Sequence, residues 1–437
     1  MEMASARRTA ATRARQSDDQ IVVWGACVLL SALSLLLLVA VSSSGFGAAR
    51  LTFAAGEISV LVRVGTSSSG GSAVDNVELC GADGDEYDRM LVDGEWVRDD
   101  ARRPLYEPWQ CPFVDEGFRC RENGRPDDAF AKWRWQPRHC SLPRFDAKHL
   151  LETLRNRRLV FVGDSIGRNQ WESMLCMLAT AVAGDDEASI YEESGSPITK
   201  HKGALSFRFR DYNCTVEHHR SPYLLRRGRP PRRAPRHVAS TLQLDAIDSR
   251  ARRWKDADVL VFNTGHWWSH ERLQQLHCYF QEGKKLRLDM SIEAAYERAM
   301  GTLTDWVHRE VSSYKTLVIF RTYSPAHTRA SNSGGCASET LPELNSSRIS
   351  LHRWPGMVTP AFEKSGTAAA ATAGRLHVLN ITLMAAQRRD GHPSVYNVAA
   401  AARTPAAQRA DCSHWCLPGV PDAWNELLYA LILRRFS

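Results

Sequence analysis

The sequence predicts an α/β fold: a central parallel sheet covered by helices on both faces, preceded by a cysteine- and tryptophan-rich subdomain and one transmembrane helix. Three observations carry this. Short apolar runs at Arg158–Val162, Val259–Phe262, Leu317–Phe320 and His377–Ile381 alternate with helical patterns at Arg168–Ala183, Ser291–Val311 and Pro421–Arg435, the order of strands joined by crossover helices. The strand runs are almost continuously apolar, as strands buried on both faces are. Polar clusters directly follow three of them: Gly163-Asp164-Ser165, Asn263-Thr264-Gly265-His266 and Arg321-Thr322. In such sheets the site lies beyond the carboxyl ends of the strands.

Taken in order, the chain opens with a basic leader, residues 1–20, carrying Arg7, Arg8, Arg13 and Arg15. Residues 21–41 then form an uncharged apolar run of 21 residues, long enough to span a bilayer as a helix. The preceding arginines orient it with the leader in the cytosol and the bulk of the chain in the lumen, a single-pass type II arrangement. A cleaved signal peptide is the competing reading, disfavoured by the length of the apolar run and of its charged leader. Residues 42–78, rich in Ser, Gly, Ala and Val, read as a stem. Residues 79–150 crowd Trp96, Trp109, Trp133 and Trp135 among four cysteines and read as a stapled, loop-rich subdomain. Residues 151–437 carry the α/β pattern. The segment Ser365–Gly374 reads as a surface loop.

The 437 residues hold 56 Lys and Arg against 49 Asp and Glu, a net charge of +7. Much of the excess is local, with six arginines between Arg226 and Arg236. No nucleic-acid module accompanies them, so nucleic acid is not an expected partner. Ten cysteines lie beyond the apolar span, which fits an oxidising lumen and disulfides. They lack the paired Cys-x2-Cys spacing of structural zinc, and no metal site is expected. Sequons at Asn213, Asn345 and Asn380 suit a glycosylated lumenal domain.

Ser165, at a strand-to-helix turn, is the expected nucleophile; its hydroxyl needs a base to remove its proton. His414 is the expected base, and Asp411, three residues earlier, the group that fixes its tautomer and supports the imidazolium. His327 competes with His414 but lacks a carboxylate at useful spacing, and Asp390-Gly391-His392-Pro393 reads as a turn. Asn263, with the backbone N–H of Ser165, is the expected oxyanion donor. Arg168, Asn169, Trp267, Arg321 and His327 are the remaining candidates for substrate or oxyanion contact. Trp267 has a flat face of the kind that stacks on sugar rings.

Five strings place the chain in a known group: Gly163-Asp164-Ser165-Ile166-Gly167-Arg168-Asn169-Gln170, Asn263-Thr264-Gly265-His266-Trp267-Trp268, Phe320-Arg321-Thr322-Tyr323-Ser324-Pro325-Ala326-His327, Arg389-Asp390-Gly391-His392-Pro393-Ser394, and Asp411-Cys412-Ser413-His414-Trp415-Cys416-Leu417-Pro418-Gly419. With them the chain resembles the plant trichome birefringence-like family, related to SGNH/GDSL esterases. The resemblance implies an SGNH-hydrolase-like three-layer sandwich and a Golgi O-acetyltransferase acting on a cell-wall polysaccharide, xylan above all, with pectin, mannan or xyloglucan as alternatives. It implies a Ser165–His414–Asp411 triad and an acetyl-serine intermediate. No bound cofactor is implied, but an acetyl donor is required: acetyl-coenzyme A or an acetylated intermediate. It further implies a polysaccharide acceptor, association with other Golgi wall-synthesis proteins, and the disulfides Cys80–Cys140, Cys111–Cys176, Cys120–Cys416 and Cys336–Cys412, leaving Cys214 and Cys278 free. The chain departs from the family pattern after His327 and in the arginine-rich segment 226–236.

A serine triad passes its acyl group to water or to a sugar, and the residues alone do not decide which. A polysaccharide acetyl esterase therefore remains open beside the transferase. A non-catalytic wall-polymer binding protein would have no use for Ser165, Asp411 and His414 together.

Overall fold

Alternate residues along each central strand enter opposite cores, the period-two pattern of a sheet buried on both faces. In the strand Arg158–Gly163 (β1), Leu159 and Phe161 join one apolar cluster while Val160 and Val162 join the other. Val259–Phe262 (β5) and Leu317–Arg321 (β6) divide in the same way. Helix α1 (Ser165–Ala179) and helix α3 (Val420–Phe436) fill the first core, and helix α2 (Ile292–Glu310) fills the second. The result is three layers, helix on sheet on helix.

The computed structural model describes residues 51–53, 56–58, 80, 85–101, 104–182, 189–198, 203–327, 335–349, 376–402 and 410–436. The expected leader, the span over 21–41, most of the stem and the loop 365–374 lie outside the described residues. Among the described residues no helix is long and apolar enough to cross a membrane. Residues 1–75 and 76–437 form separate units. In the first, Leu51–Phe53 pairs antiparallel with Gly56–Ile58.

The main sheet corrects the expectation of a wholly parallel one. It is mixed and seven-stranded, in the order β7-β6-β5-β1-β4-β3-β2. Here β2 is Ile190–Glu192, β3 Ala204–Phe209, β4 Cys214–Arg220 and β7 His377–Leu379. The five strands from β7 to β4 run parallel, and β3 and β2 add an antiparallel edge. A second sheet of four strands (Leu225–Gly228, Ser240–Ile247, Cys278–Glu282 and Lys285–Arg287) contacts α2. Strand β4 hides from an apolar count because it carries Glu217, His218 and His219 in the interior. Burial alone would raise the Glu217 carboxyl. Bonds from His219 Nε2 (3.0 Å) and the neighbouring strand's Arg158 (2.7 and 2.9 Å) hold it instead near 2.

The cysteine-rich segment packs onto the α/β core. Trp96 and Trp135 face each other across a two-stranded ribbon, ring centroids 5.6 Å apart, and Trp96 Nε1 donates to the Met384 carbonyl at 2.9 Å. Four disulfides join Cys80 to Cys140, Cys111 to Cys176, Cys120 to Cys416 and Cys336 to Cys412, with Cys214 and Cys278 free and buried. This is the pairing the family resemblance implies. Asn213 and Asn345 are exposed, whereas Asn380 is half-buried with its carboxamide oxygen bound by Thr322 Oγ1 (3.1 Å) and the Thr382 N–H (3.3 Å). Asn380 is thus the least accessible of the three sequons.

Cys120–Cys416 spans 296 residues, so its loss restores the most freedom to the unfolded chain. Replacing both cysteines by serine is expected to cost about 2–5 kcal/mol. Thermal unfolding of the purified variant checks this; an unchanged melting temperature would contradict it.

Candidate active site

The site is built at the turn from β1 into α1. Asp164 is the N-cap: its Oδ1 accepts the Ile166 N–H at 3.0 Å. Ser165 is the first helical residue and partly exposed. Its N–H has no acceptor within the helix and lies at the positive end of the helix dipole. The next turn receives Asn263 from the end of β5. A methyl group at Gly163 or Gly167 would overlap the Asn263 carboxamide, so both positions must be glycine for Asn263 to reach the serine turn. Asn263 Nδ2 donates to Asp164 Oδ1 at 2.6 Å, and its second N–H remains for an oxyanion.

The carboxy-terminal tail carries the candidate base. Asp411 Oδ2 lies 2.7 Å from His414 Nδ1, and Asp411 Oδ1 accepts the backbone N–H groups of Ser413 and His414, each at 3.0 Å. This fixes the ring with Nδ1–H toward the carboxylate and Nε2 outward. The tail is tied to α1 one helical turn after Ser165. Asn169 Oδ1 accepts the Trp415 N–H at 2.8 Å and Asn169 Nδ2 donates to the Trp415 carbonyl at 3.2 Å. Phe118, from the cysteine-rich segment, packs against the His414 ring at 5.2 Å. No hydrogen bond joins Ser165 Oγ to His414 Nε2 in the free protein, a contact that commonly closes only around bound substrate.

Burial opposes charge on His414, but the Asp411 carboxylate outweighs it and raises the imidazole above its ordinary pKa; Asp164 and Glu172 add to the effect. Burial would likewise raise the Asp411 carboxyl, yet the His414 charge and the backbone N–H bonds hold it well below the usual range. The two shifts together favour the ion pair, and His414 becomes a neutral base only above its raised pKa.

Other expected site residues take different positions. Asn169 is fully buried and acts as the clamp just described, not as a substrate contact. Arg321 is likewise buried, 1% exposed. Its guanidinium rests on Trp424 and donates to the Thr322 carbonyl at 3.0 Å, and burial pushes its pKa down to about 10. Arg168 is bound to Glu172 at 2.8 Å and to Asp115 at 3.3 Å. His327 stands behind the tail: its Nε2 lies 2.9 Å from the Ala386 carbonyl and its Nδ1 2.6 Å from His392 Nε2, and His392 Nδ1 lies 2.6 Å from the His414 carbonyl. Burial holds His327 down at about 4. Asp390 is spent on Arg388, at 2.8 Å in a fully buried pair. Trp267 is half-buried at the rim.

Sequence reasoning missed His392, Phe118 and Arg125 as supports. Arg125 donates to the Asp390 carbonyl at 2.7 Å and the His392 carbonyl at 3.0 Å. The string Asp390-Gly391-His392-Pro393 was the available signal, but it reads as a turn because its partners are distant backbone carbonyls. Gln170 and Ser173 face Asp422 and Asn425 across α1 and α3, and the Asp422 carboxyl is raised to about 6 by burial. These residues hold the two helices together.

Two outcomes follow for p-nitrophenyl acetate turnover. Gly167→Ala displaces Asn263 and is expected to lower kcat by about 10²–10³-fold, as loss of an oxyanion donor does, with the circular dichroism spectrum unchanged; full activity would sink the assignment of Asn263. For kcat/KM, activity rises with pH as His414 loses its proton. Asp411→Asn removes the charge that raises His414, so the midpoint should move to lower pH and the plateau should fall, by roughly 10³–10⁴-fold. An unmoved midpoint would contradict the pairing.

Residues 142–431 match the GDSL/SGNH-like acyl-esterase family found in Pmr5 and Cas1p, and residues 90–141 match the PMR5 N-terminal domain. Among relatives, trichome birefringence-like protein 9 of Arabidopsis thaliana is 44% identical over 352 residues, covering 78% of this chain and 82% of that protein. Trichome birefringence of the same plant is 43% identical, over 79% of this chain and 56% of that protein. Xylan O-acetyltransferase 13 of Oryza sativa subsp. japonica is 37% identical, over 81% of this chain and 71% of that protein. The chain belongs to the GDSL/SGNH-like acyl-esterase family, among the trichome birefringence-like proteins and their xylan O-acetyltransferase relatives.

Proposed function

We propose that the protein is an O-acetyltransferase that moves acetyl groups from a lumenal donor to hydroxyls of a cell-wall polysaccharide in the Golgi, with xylan the first acceptor to test. The observation that carries this reading is the Asp411–His414 pair at 2.7 Å, in a tail clamped by Asn169 one helical turn from Ser165. The acyl-esterase family match and the names of two rice relatives, xylan O-acetyltransferases 12 and 13, support the acyl group and the acceptor class.

In this mechanism Ser165 Oγ attacks the donor's acetyl carbonyl while its proton passes to His414 Nε2. The tetrahedral oxyanion is met by the Ser165 N–H and the second N–H of Asn263. Collapse expels the donor's leaving group, which takes the proton from His414, and leaves acetyl-serine. A sugar hydroxyl then gives its proton to His414 and attacks the acetyl carbonyl, and collapse returns the proton to Ser165. Asp411 stays ionised throughout and supports the imidazolium. The uncharged apolar run over 21–41 and the exposed Asn213 and Asn345 sequons support a lumenal catalytic domain.

Incubation of the full chain with an acetyl donor and xylo-oligosaccharides, read by mass spectrometry, tests the reading. Acetylated xylo-oligosaccharide and a singly acetylated Ser165 peptide are expected from the wild type, and neither from Ser165→Ala. Acetyl transfer by purified Ser165→Ala would reject the nucleophile. Release of acetate from pre-acetylated xylan without transfer would favour the esterase.

A further inference from the structure

Two guanidinium groups near the serine turn have no anionic partner among the described residues. Arg220 ends β4 and pairs in register with Gly163, two residues before Ser165. Its guanidinium lies 5.1 Å from the centre of the Trp267 ring, and that of Arg272 lies 5.3 Å from the same ring. Among the described residues neither side chain makes a hydrogen bond or an ion pair. Arg220 and Trp267 are half-buried and Arg272 is exposed. Nearby acids are engaged elsewhere: Glu217 by Arg158 and His219, Asp248 by Arg250 and Ser221, and Glu271 accepts from Gln275. Burial and the charges of Arg168, Arg250 and Arg272 act against the Arg220 charge, and Asp164 acts in its favour. Unpaired arginines continue beyond this cluster. Arg226, Arg232, Arg233 and Arg236 are exposed with no ion-pair partner among the described residues, and Arg227 lies close enough to act on Tyr223, which packs on Trp267.

Holding like charges together without counter-charge costs stability, so the arrangement calls for an anion. Guanidinium forks match carboxylates bidentately, and here both lie over the one Trp267 ring. A row of single cations leading away from the serine suits a polymer that bears its charges one per sugar.

We propose that Arg220, Trp267 and Arg272 form an acceptor subsite for the carboxylate of a uronic acid, and that the segment 226–236 extends it along an acidic polysaccharide. This rests on the acetyltransferase reading for its purpose, but binding is measurable without catalysis. The subsite selects acceptor chains that carry uronic acids, whether as backbone or as branches, over wholly neutral ones.

The test is calorimetric titration of the full chain in detergent with hexagalacturonate and with xylohexaose, no acetyl donor present. Hexagalacturonate is expected to bind at least about tenfold more tightly at low salt, and to weaken steeply as salt rises. Arg272→Gln and Arg220→Gln should each weaken it about tenfold, the loss of one charge-assisted contact, and leave xylohexaose within about twofold. Arg220→Lys, which keeps charge but not the fork, should fall between. Equal affinity for the two hexamers, or variants that weaken both alike, would overturn the subsite. So would displacement of hexagalacturonate by micromolar coenzyme A, which would assign the arginines to donor phosphates, or equally tight binding of single-stranded RNA. Failure of Ser165 chemistry with these affinities intact would reject the mechanism and spare the subsite.

Discussion

The clamp of Asn169 on both backbone groups of Trp415 is the constraint on which the site depends. The proposed nucleophile and its proposed base come from opposite ends of the α/β region, Ser165 and His414. Closing so long a loop is entropically expensive, and a base held loosely would lose most of its effect. The fold meets this by fixing the tail at several points. Asn169 holds it to α1, Cys120–Cys416 and Cys336–Cys412 bracket His414 covalently, and His392 takes its carbonyl. Together they leave the His414 ring one hinge, set by Asp411.

The cysteine-rich segment is therefore part of the active site rather than an appendage. It contributes Phe118 against the His414 ring, Cys120 to the bridge, Arg125 to the carbonyls behind the tail, and Asp115 to the Arg168–Glu172 pair. Glu172 is fully buried with its carboxyl raised to about 7 by that burial, and its charge lies near enough to favour protonated His414.

Much of this was legible in the sequence. Helices α1, α2 and α3 and strands β1, β5, β6 and β7 follow from apolar runs and helical periodicity, and the rim position of Ser165 and Asn263 follows from what comes after β1 and β5. Strand β4 was illegible because Glu217, His218 and His219 read as polar until Arg158 is seen to neutralise the carboxylate from the next strand. The antiparallel edge and the second sheet escaped because their alternating, charged strands resemble loops. Arg321 and Asn169 looked like substrate contacts because polar residues after a strand or on a helix usually face solvent. Here each is enclosed with a partner far away in sequence, at Trp424 and Trp415.

The central claim is that Ser165 and His414 act as one unit. Labelling with a fluorophosphonate, which reacts with a serine only when a base activates it, tests this directly. Peptide mapping should find the label on Ser165 in the wild type and lose it in a folded His414→Gln variant. A label that persists without the imidazole, or that settles on another residue, would contradict the account.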